Sequence, residues 1–154
     1  MQRLRRIFHG LNRLMVWMWK AGMGRLINSW PPVFGRIMVI RHTGRRTGRE
    51  YLTPVNYAIV AGQIYCAAGF GAATDWYRNV LASPDTAVWL PEGWRQVQAV
   101  DESESPQRAD ILRRITVASG MAGPLLGVDP RKLSDESLLR IGKDYRIVHF
   151  IMEG

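Results

Sequence analysis

Short apolar segments joined by turn-forming links set the tightest limit on how this chain can fold. Ile37 to Arg41, Tyr51 to Val60, Gln63 to Ala68, Thr86 to Leu90, Arg95 to Val100 and Tyr145 to Met152 read as strands. Ala61-Gly62 links the second to the third, and Pro91-Glu92-Gly93 closes a hairpin between the fourth and fifth. Parallel pairing needs a crossover of roughly a dozen residues, so links this short demand antiparallel neighbours. Helical patterns flank the strands at about Arg3 to Gly22, Asp75 to Ala82 and Ser105 to Ser119. The expectation is a mainly β fold with appended helices, about six antiparallel strands closing into a small barrel.

At 154 residues, with 47% hydrophobic and 22% charged residues, the chain can bury one real core. One cysteine, Cys66, sits in an apolar run and reads as a buried inert thiol; it excludes an internal disulfide framework. His9, His42 and His149 lie far apart without metal-ligand spacing and read as structural residues, so no metal is expected. The chain has neither a Gly-x-Ser-x-Gly elbow nor a paired-carboxylate pattern, which leaves hydrolysis without visible machinery.

The net charge of +8 is concentrated at one end. Eleven bases and no acid precede Glu50, whereas the remainder, from Glu50 on, carries ten bases and thirteen acids. Such a field implies an anionic partner: a membrane surface, a phosphorylated cofactor or nucleic acid. The bases divide between an N-terminal helix and one tight loop, without a recognition helix, and this argues against nucleic acid. On the helix, Leu4, Ile7, Phe8, Leu11, Leu14, Met15 and Met18 form a stripe with Arg3, Arg6, Asn12 and Arg13 off it. Trp17 and Trp19 suit a membrane–water boundary, but the apolar run falls short of the roughly 20 residues that span a bilayer. Lys20 interrupts the run and no clear cleavage site follows, so a signal peptide fits poorly. Trp30-Pro31-Pro32 reads as a linker between residues 1–30 and a barrel domain of residues 31–154. The expected setting is cytoplasmic, either peripheral on the inner face of the plasma membrane or with the helix packed on the barrel or a second subunit.

Two clusters carry the chemistry. Arg41-His42-Thr43-Gly44-Arg45-Arg46-Thr47-Gly48-Arg49-Glu50-Tyr51-Leu52-Thr53-Pro54 crowds three arginines into a glycine-flanked turn, offering guanidinium forks to a phosphate or carboxylate. Ala67-Ala68-Gly69-Phe70-Gly71-Ala72-Ala73-Thr74-Asp75-Trp76-Tyr77-Arg78-Asn79-Val80 reads as a strand end, a small-residue loop and a helix start capped by Thr74 or Asp75. In this order and spacing the two resemble the deazaflavin-dependent nitroreductase family, over roughly Ile37 to Leu90. That resemblance implies a split β-barrel binding coenzyme F420, an 8-hydroxy-5-deazaflavin whose tail carries a phosphodiester and glutamates. Arg45 and Arg46 would grip the tail, assisted by the Thr47 and Gly48 N–H groups and extended by Arg49. Ala67, Ala68, Gly69 and Phe70 would line the ring, with Trp76, Asn79 and Asn56 nearby.

The chain departs from the family's pattern in two places. Tyr51 stands where many relatives have another arginine, and the serine and lysine often found near Gly69 and Phe70 are missing. The activity implied is hydride transfer from reduced F420 to a small apolar, electron-poor acceptor such as a quinone, an enone or a nitro compound. Trp17, Trp19, Tyr145 and the Gly123–Gly127 loop are candidates for the substrate wall, and a homodimer is compatible with the pattern. The alternatives are a barrel holding flavin mononucleotide (FMN) and a cofactor or lipid carrier without chemistry of its own.

Overall fold

A computed structural model of the chain describes residues 2–28, 35–120 and 129–153. The Trp30-Pro31-Pro32 linker and the Gly123–Gly127 loop fall outside these residues, as do the side chains of residues 2–9 and 27–28. Seven strands form one antiparallel sheet: β1 (Ile37–Thr43), β2 (Glu50–Asn56), β3 (Ala58–Val60), β4 (Gln63–Ala68), β5 (Thr86–Leu90), β6 (Gly93–Asp101) and β7 (Arg146–Met152). Helices α1 (Gln2–Lys20), α2 (Gly24–Asn28), α3 (Asp75–Ala82), α4 (Arg108–Ala118) and α5 (Asp135–Ile141) surround it.

The sheet order is β2-β1-β5-β6-β7-β4-β3, so β2 and β3 are its two edges. Only Tyr57 separates those edges along the chain. Laid flat, seven strands would hold the edges roughly 29 Å apart at about 4.8 Å per spacing. One residue cannot bridge that gap, so the sheet curls until its edges meet. The apolar run Tyr51–Val60, expected as one strand, is therefore two: β2 pairs with β1, ending at Asn56↔Ile37, while β3 pairs with β4. At the break, the Tyr57 N–H and the Asn56 side-chain amide both donate to the Arg36 carbonyl.

The first four residues of β1, Ile37 to Ile40, are buried on both faces, which explains their unbroken apolar sequence. Met38 and Ile40 point into the barrel with Cys66, Ala68, Val88, Val97, Val148 and Phe150, and α3 plugs one end with Tyr77 and Val80. Ile37 and Val39 point outward to Trp19 of α1, which is 2% exposed and meets Trp89 edge-on. Gly24 lets α2 start directly against the Trp19 ring, where a Cβ would come within 2.8 Å of it. A third cluster sets Ile111, Leu112 and Ile115 of α4 against Ala58 and Ile147.

Two helix boundaries differ from expectation. The helix expected from Ser105 begins at Arg108, because the Ser105 hydroxyl accepts the Gln107 N–H in a local turn first. Helix α5 was not expected at all. Ser134 caps it by accepting the Ser137 N–H at 3.2 Å, with Asp135 and Glu136 in its first turn.

Candidate functional site

The hairpin loop between β1 and β2 is held by its own atoms. The Thr47 and Gly48 N–H groups donate to the Gly44 carbonyl at 3.1 and 2.8 Å, and Gly44 N–H donates to the Arg49 carbonyl at 2.8 Å. Gly48 takes φ +64°, a left-handed turn position that suits glycine. The Thr47 hydroxyl accepts from the Arg49 N–H and lies 3.2 Å from the Tyr51 hydroxyl. The N–H groups of Thr47 and Gly48, expected to face a ligand, are thus committed within the turn. Neither of those two N–H groups is available to an anion at this loop.

The two adjacent arginines part company here. Arg45 turns to α3: its N–H and guanidinium both donate to Asn79 Oδ1, at 3.2 and 2.9 Å, and it pairs with Asp75 at 3.3 Å. Arg46 has no carboxylate partner among the described residues. Asn79, 5% exposed, stands at the centre of the resulting network. Its Oδ1 faces Arg45, so its amide nitrogen must be the group 3.3 Å from His42 Nδ1. His42 Nδ1 therefore accepts, the proton sits on Nε2, and Nε2–H donates to the Thr53 hydroxyl at 3.0 Å. Tyr51 stacks on the imidazole with ring centroids 5.7 Å apart. Burial lowers the His42 pKa to about 4, with the Asp75 charge pulling weakly upward. An imidazolium would also turn a second N–H toward the Asn79 amide, so the ring stays neutral.

A cavity of about 820 Å³ opens over this network. The hairpin supplies Gly44, Arg45, Arg46, Thr47, Tyr51, Leu52 and Thr53, while α3 supplies Asp75, Trp76 and Asn79. The opposite wall is α1, through Asn12, Arg13, Val16, Trp17 and Lys20. Four cationic residues thus face one carboxylate, and that carboxylate is already paired with Arg45.

A second cavity, of about 470 Å³, lies between the outer side of the barrel and α4–α5. Val55 and Asn56 of β2, Ala67, Gly69, Leu112, Ile115 and Tyr145 line it, and the lining is mostly apolar. The candidate residues consequently divide. Arg45, Arg46, Thr47, Trp76 and Asn79 meet in the first cavity; Asn56, Ala67 and Gly69 meet in the second. Ala68 faces the barrel core at 1% exposure, Phe70 stands 80% exposed, and Gly48 and Arg49 line neither cavity. Strand alternation separates Ala67 from Ala68, because successive side chains leave opposite faces of β4. Of the candidate substrate walls, Trp17 and Tyr145 line one cavity each, whereas Trp19 is corrected to a core residue. Cys66 is buried, and burial pushes its thiol pKa up, in keeping with an inert side chain.

His42, Thr53, Arg13 and Lys20 belong to the first cavity and were not singled out as site residues by sequence. For His42 a signal existed, since it shares the inward parity of Met38 and Ile40 on β1 and stands beside the arginine turn. For Arg13 and Lys20 none did, because helix periodicity does not say which face docks.

A family model described as F420H(2)-dependent quinone reductase matches residues 11–122. The chain belongs to that family. A Mycobacterium tuberculosis protein named as one of its quinone reductases, Rv3178, is 31% identical over 80 residues, covering 50% of this chain and 66% of that protein. The aligned region is thus slightly under two thirds of that relative. Among solved structures, the conserved hypothetical protein Rv2991 from Mycobacterium tuberculosis superposes with TM-score 0.53 at 16% identity, covering 87% of this chain and 80% of its own. An F420-H2 dependent reductase, FDR-A, gives TM-score 0.52 at 17% identity over 74% of this chain and 92% of its own. At such identities the likeness shows the fold alone, an antiparallel half-barrel with helices. The resemblance read from the two sequence clusters holds at the level of an F420-dependent split-barrel family, whose name states its reductant. The match begins at Leu11, inside α1, so the cavity-lining half of that helix lies within the family's pattern.

Proposed function

We propose that this quinone reductase family member uses reduced F420 to deliver hydride to a small, apolar, electron-poor acceptor: a quinone, an enone or a nitro compound. One observation carries the reading. Strand β2 is shared by two unlike cavities, with Tyr51, Leu52 and Thr53 walling the cationic one and Val55 and Asn56 the apolar one. A cofactor with an anionic tail and a flat uncharged ring needs that juxtaposition, and the residues present fit it. Arg46 offers an unpaired guanidinium for phosphate or carboxylate, and Arg45 holds the loop that presents it. Beside Gly69 there is open space, for a Cβ there would approach nothing closer than Tyr145 at 4.0 Å. F420H2 when bound supplies the hydride, so the protein's work is to bind, orient and exclude water.

The test is calorimetric titration with F420 and with flavin mononucleotide. Micromolar or tighter binding of F420 supports the reading, and tighter binding of the flavin overturns it. Binding of F420 without turnover of any quinone, enone or nitro acceptor would make the protein a carrier instead.

We also infer peripheral contact with an anionic bilayer, through Leu11, Leu14 and Trp17 of α1. Leu11 and Leu14 are 49% and 52% exposed and line neither cavity, while Trp17, 64% exposed, stands at the rim of the cationic one. Among the described residues, no helix is long and apolar enough to cross a membrane.

A further inference from the structure

We propose that α1 is the second cationic wall of the cofactor site, and that Arg13 and Lys20 bind the ligand's phosphate or carboxylate groups together with Arg46. The proposal rests on the F420 reading for the identity of the ligand, but on the cavity alone for its chemistry.

Three observations carry it. Arg13 and Lys20 lie on the α1 face that lines the cavity, with Val16 one turn from each, opposite the hairpin that carries Arg46. None of the three cations has an acidic partner among the described residues. Like charges gathered around one cavity repel one another, and an anion placed between them removes that repulsion and gains charge-assisted hydrogen bonds. The helix is also fixed in place. Trp19, between the two cationic positions, is 2% exposed against Ile37 and Val39, so this face of α1 is set by the barrel core.

The face that sequence assigns to solvent or lipid headgroups by its charge is therefore turned to the site. The exposed side carries Leu11 and Leu14 instead. Arg45 does not substitute for these groups, because Asn79 and Asp75 already hold it. The ligand's anionic end is gripped between a loop cation and two helix cations.

The experiment compares four full-length proteins: wild type, Arg46→Gln, the double variant Arg13→Gln/Lys20→Gln, and the charge control Lys132→Gln/Lys143→Gln. F420 affinity is measured at low salt and at about 0.5 M salt, where screening shortens the electrostatic range to about 4 Å. The α1 double variant is expected to bind F420 about tenfold or more weakly at low salt, with a flatter salt dependence, while the control matches wild type. Trypsin cleavage after Arg13 and Lys20 in the wild type is followed in parallel, with and without F420 and with inorganic pyrophosphate. Both anions should slow it, relative to cleavage after Lys132 and Lys143. If Arg46→Gln weakens F420 binding while the α1 variant binds like wild type, the α1 proposal falls and the F420 reading stands. If wild type binds no F420 but pyrophosphate still protects Arg13 and Lys20, the anion site stands and the cofactor reading falls. Absence of protection by either anion overturns the proposal without reference to any variant's folding.

Discussion

In the β1–β2 hairpin, Arg45 commits its guanidinium to Asn79 and Asp75, whereas on the helix across the cavity Arg13 and Lys20 meet no carboxylate among the described residues. Both regions are basic and both read from sequence as anion-seeking. The hairpin holds its shape through an internal net of Gly44, Thr47, His42 and Asn79. The helix holds its position through one buried tryptophan and keeps its charges open. The contrast teaches that the cations available to a ligand are those the fold has left unpaired, not those that stand closest together in sequence.

The strongest way to break this comparison is to remove the helix's anchor. Trp19→Ala deletes a fully buried aromatic and is expected to cost about 3–5 kcal/mol in chemical denaturation of the whole protein. If α1 were an appendage to an independent barrel, the main unfolding transition would be unmoved and residues 1–30 would form a separate unit.

The second test titrates the hairpin's net. The His42 pKa is about 4 in the fold against 6.5 in an open chain, so between those values the unfolded state binds more protons. Stability should therefore rise with pH across that window and level off above it, by on the order of 3 kcal/mol at most. His149, also lowered by burial, adds a contribution of the same sign. His42→Gln should remove most of the slope between pH 4 and 6.5, measured by urea unfolding at several pH values. An unchanged slope would mean the imidazole is not held neutral.

Third, the two arginines should separate. Arg46→Ala is expected to weaken F420 binding by roughly 1–3 kcal/mol with little effect on melting temperature. Arg45→Ala should lower stability by about 1 kcal/mol, since it removes the guanidinium donor from Asn79 Oδ1 and leaves only the backbone N–H of residue 45, and affect binding only through the loop. Equal binding losses with equal melting temperatures would erase the distinction between locked and open cations.

The smallest effect is expected at the membrane. Leu11→Ser/Leu14→Ser should reduce flotation with anionic vesicles several-fold while leaving F420 affinity intact, because those side chains point away from the cavity. Wild-type protein that ignores anionic vesicles would leave α1 with the cavity as its sole function.

Much of the barrel was legible because its signals are local. Ile37–Thr43, Gln63–Ala68 and Thr86–Leu90 announce themselves by composition and flanking turns, and they appear within a residue or two of expectation. The break at Tyr57 was not legible: nothing in Tyr51–Val60 says that its halves pair with different partners across a curled sheet. Helix α5 is legible in principle from Ser134-Asp135-Glu136-Ser137, a capping pattern before Leu138, but its seven residues are too few for a helical period to show. In the site, the arginine turn and the Asp75–Asn79 helix start were both visible, but their meeting was not, since it joins residues 34 positions apart.

By itself, then, the sequence determined what short-range physics can read. That covers where strands alternate, where turns need glycine and which third of the chain is basic; the two clusters point to an F420-dependent barrel only by their resemblance to a known family. Only the tertiary structure decided which charges remain open. Arg45 and Arg46 are indistinguishable until α3 docks and takes one of them, and Ala67 and Ala68 are equivalent until β4 has a face toward α4 and a face toward the core. Arg13 and Lys20 acquire a site only when Trp19 fixes the rotation of α1. Rotation and pairing are set by packing among distant segments, and a local pattern carries no record of which partner wins.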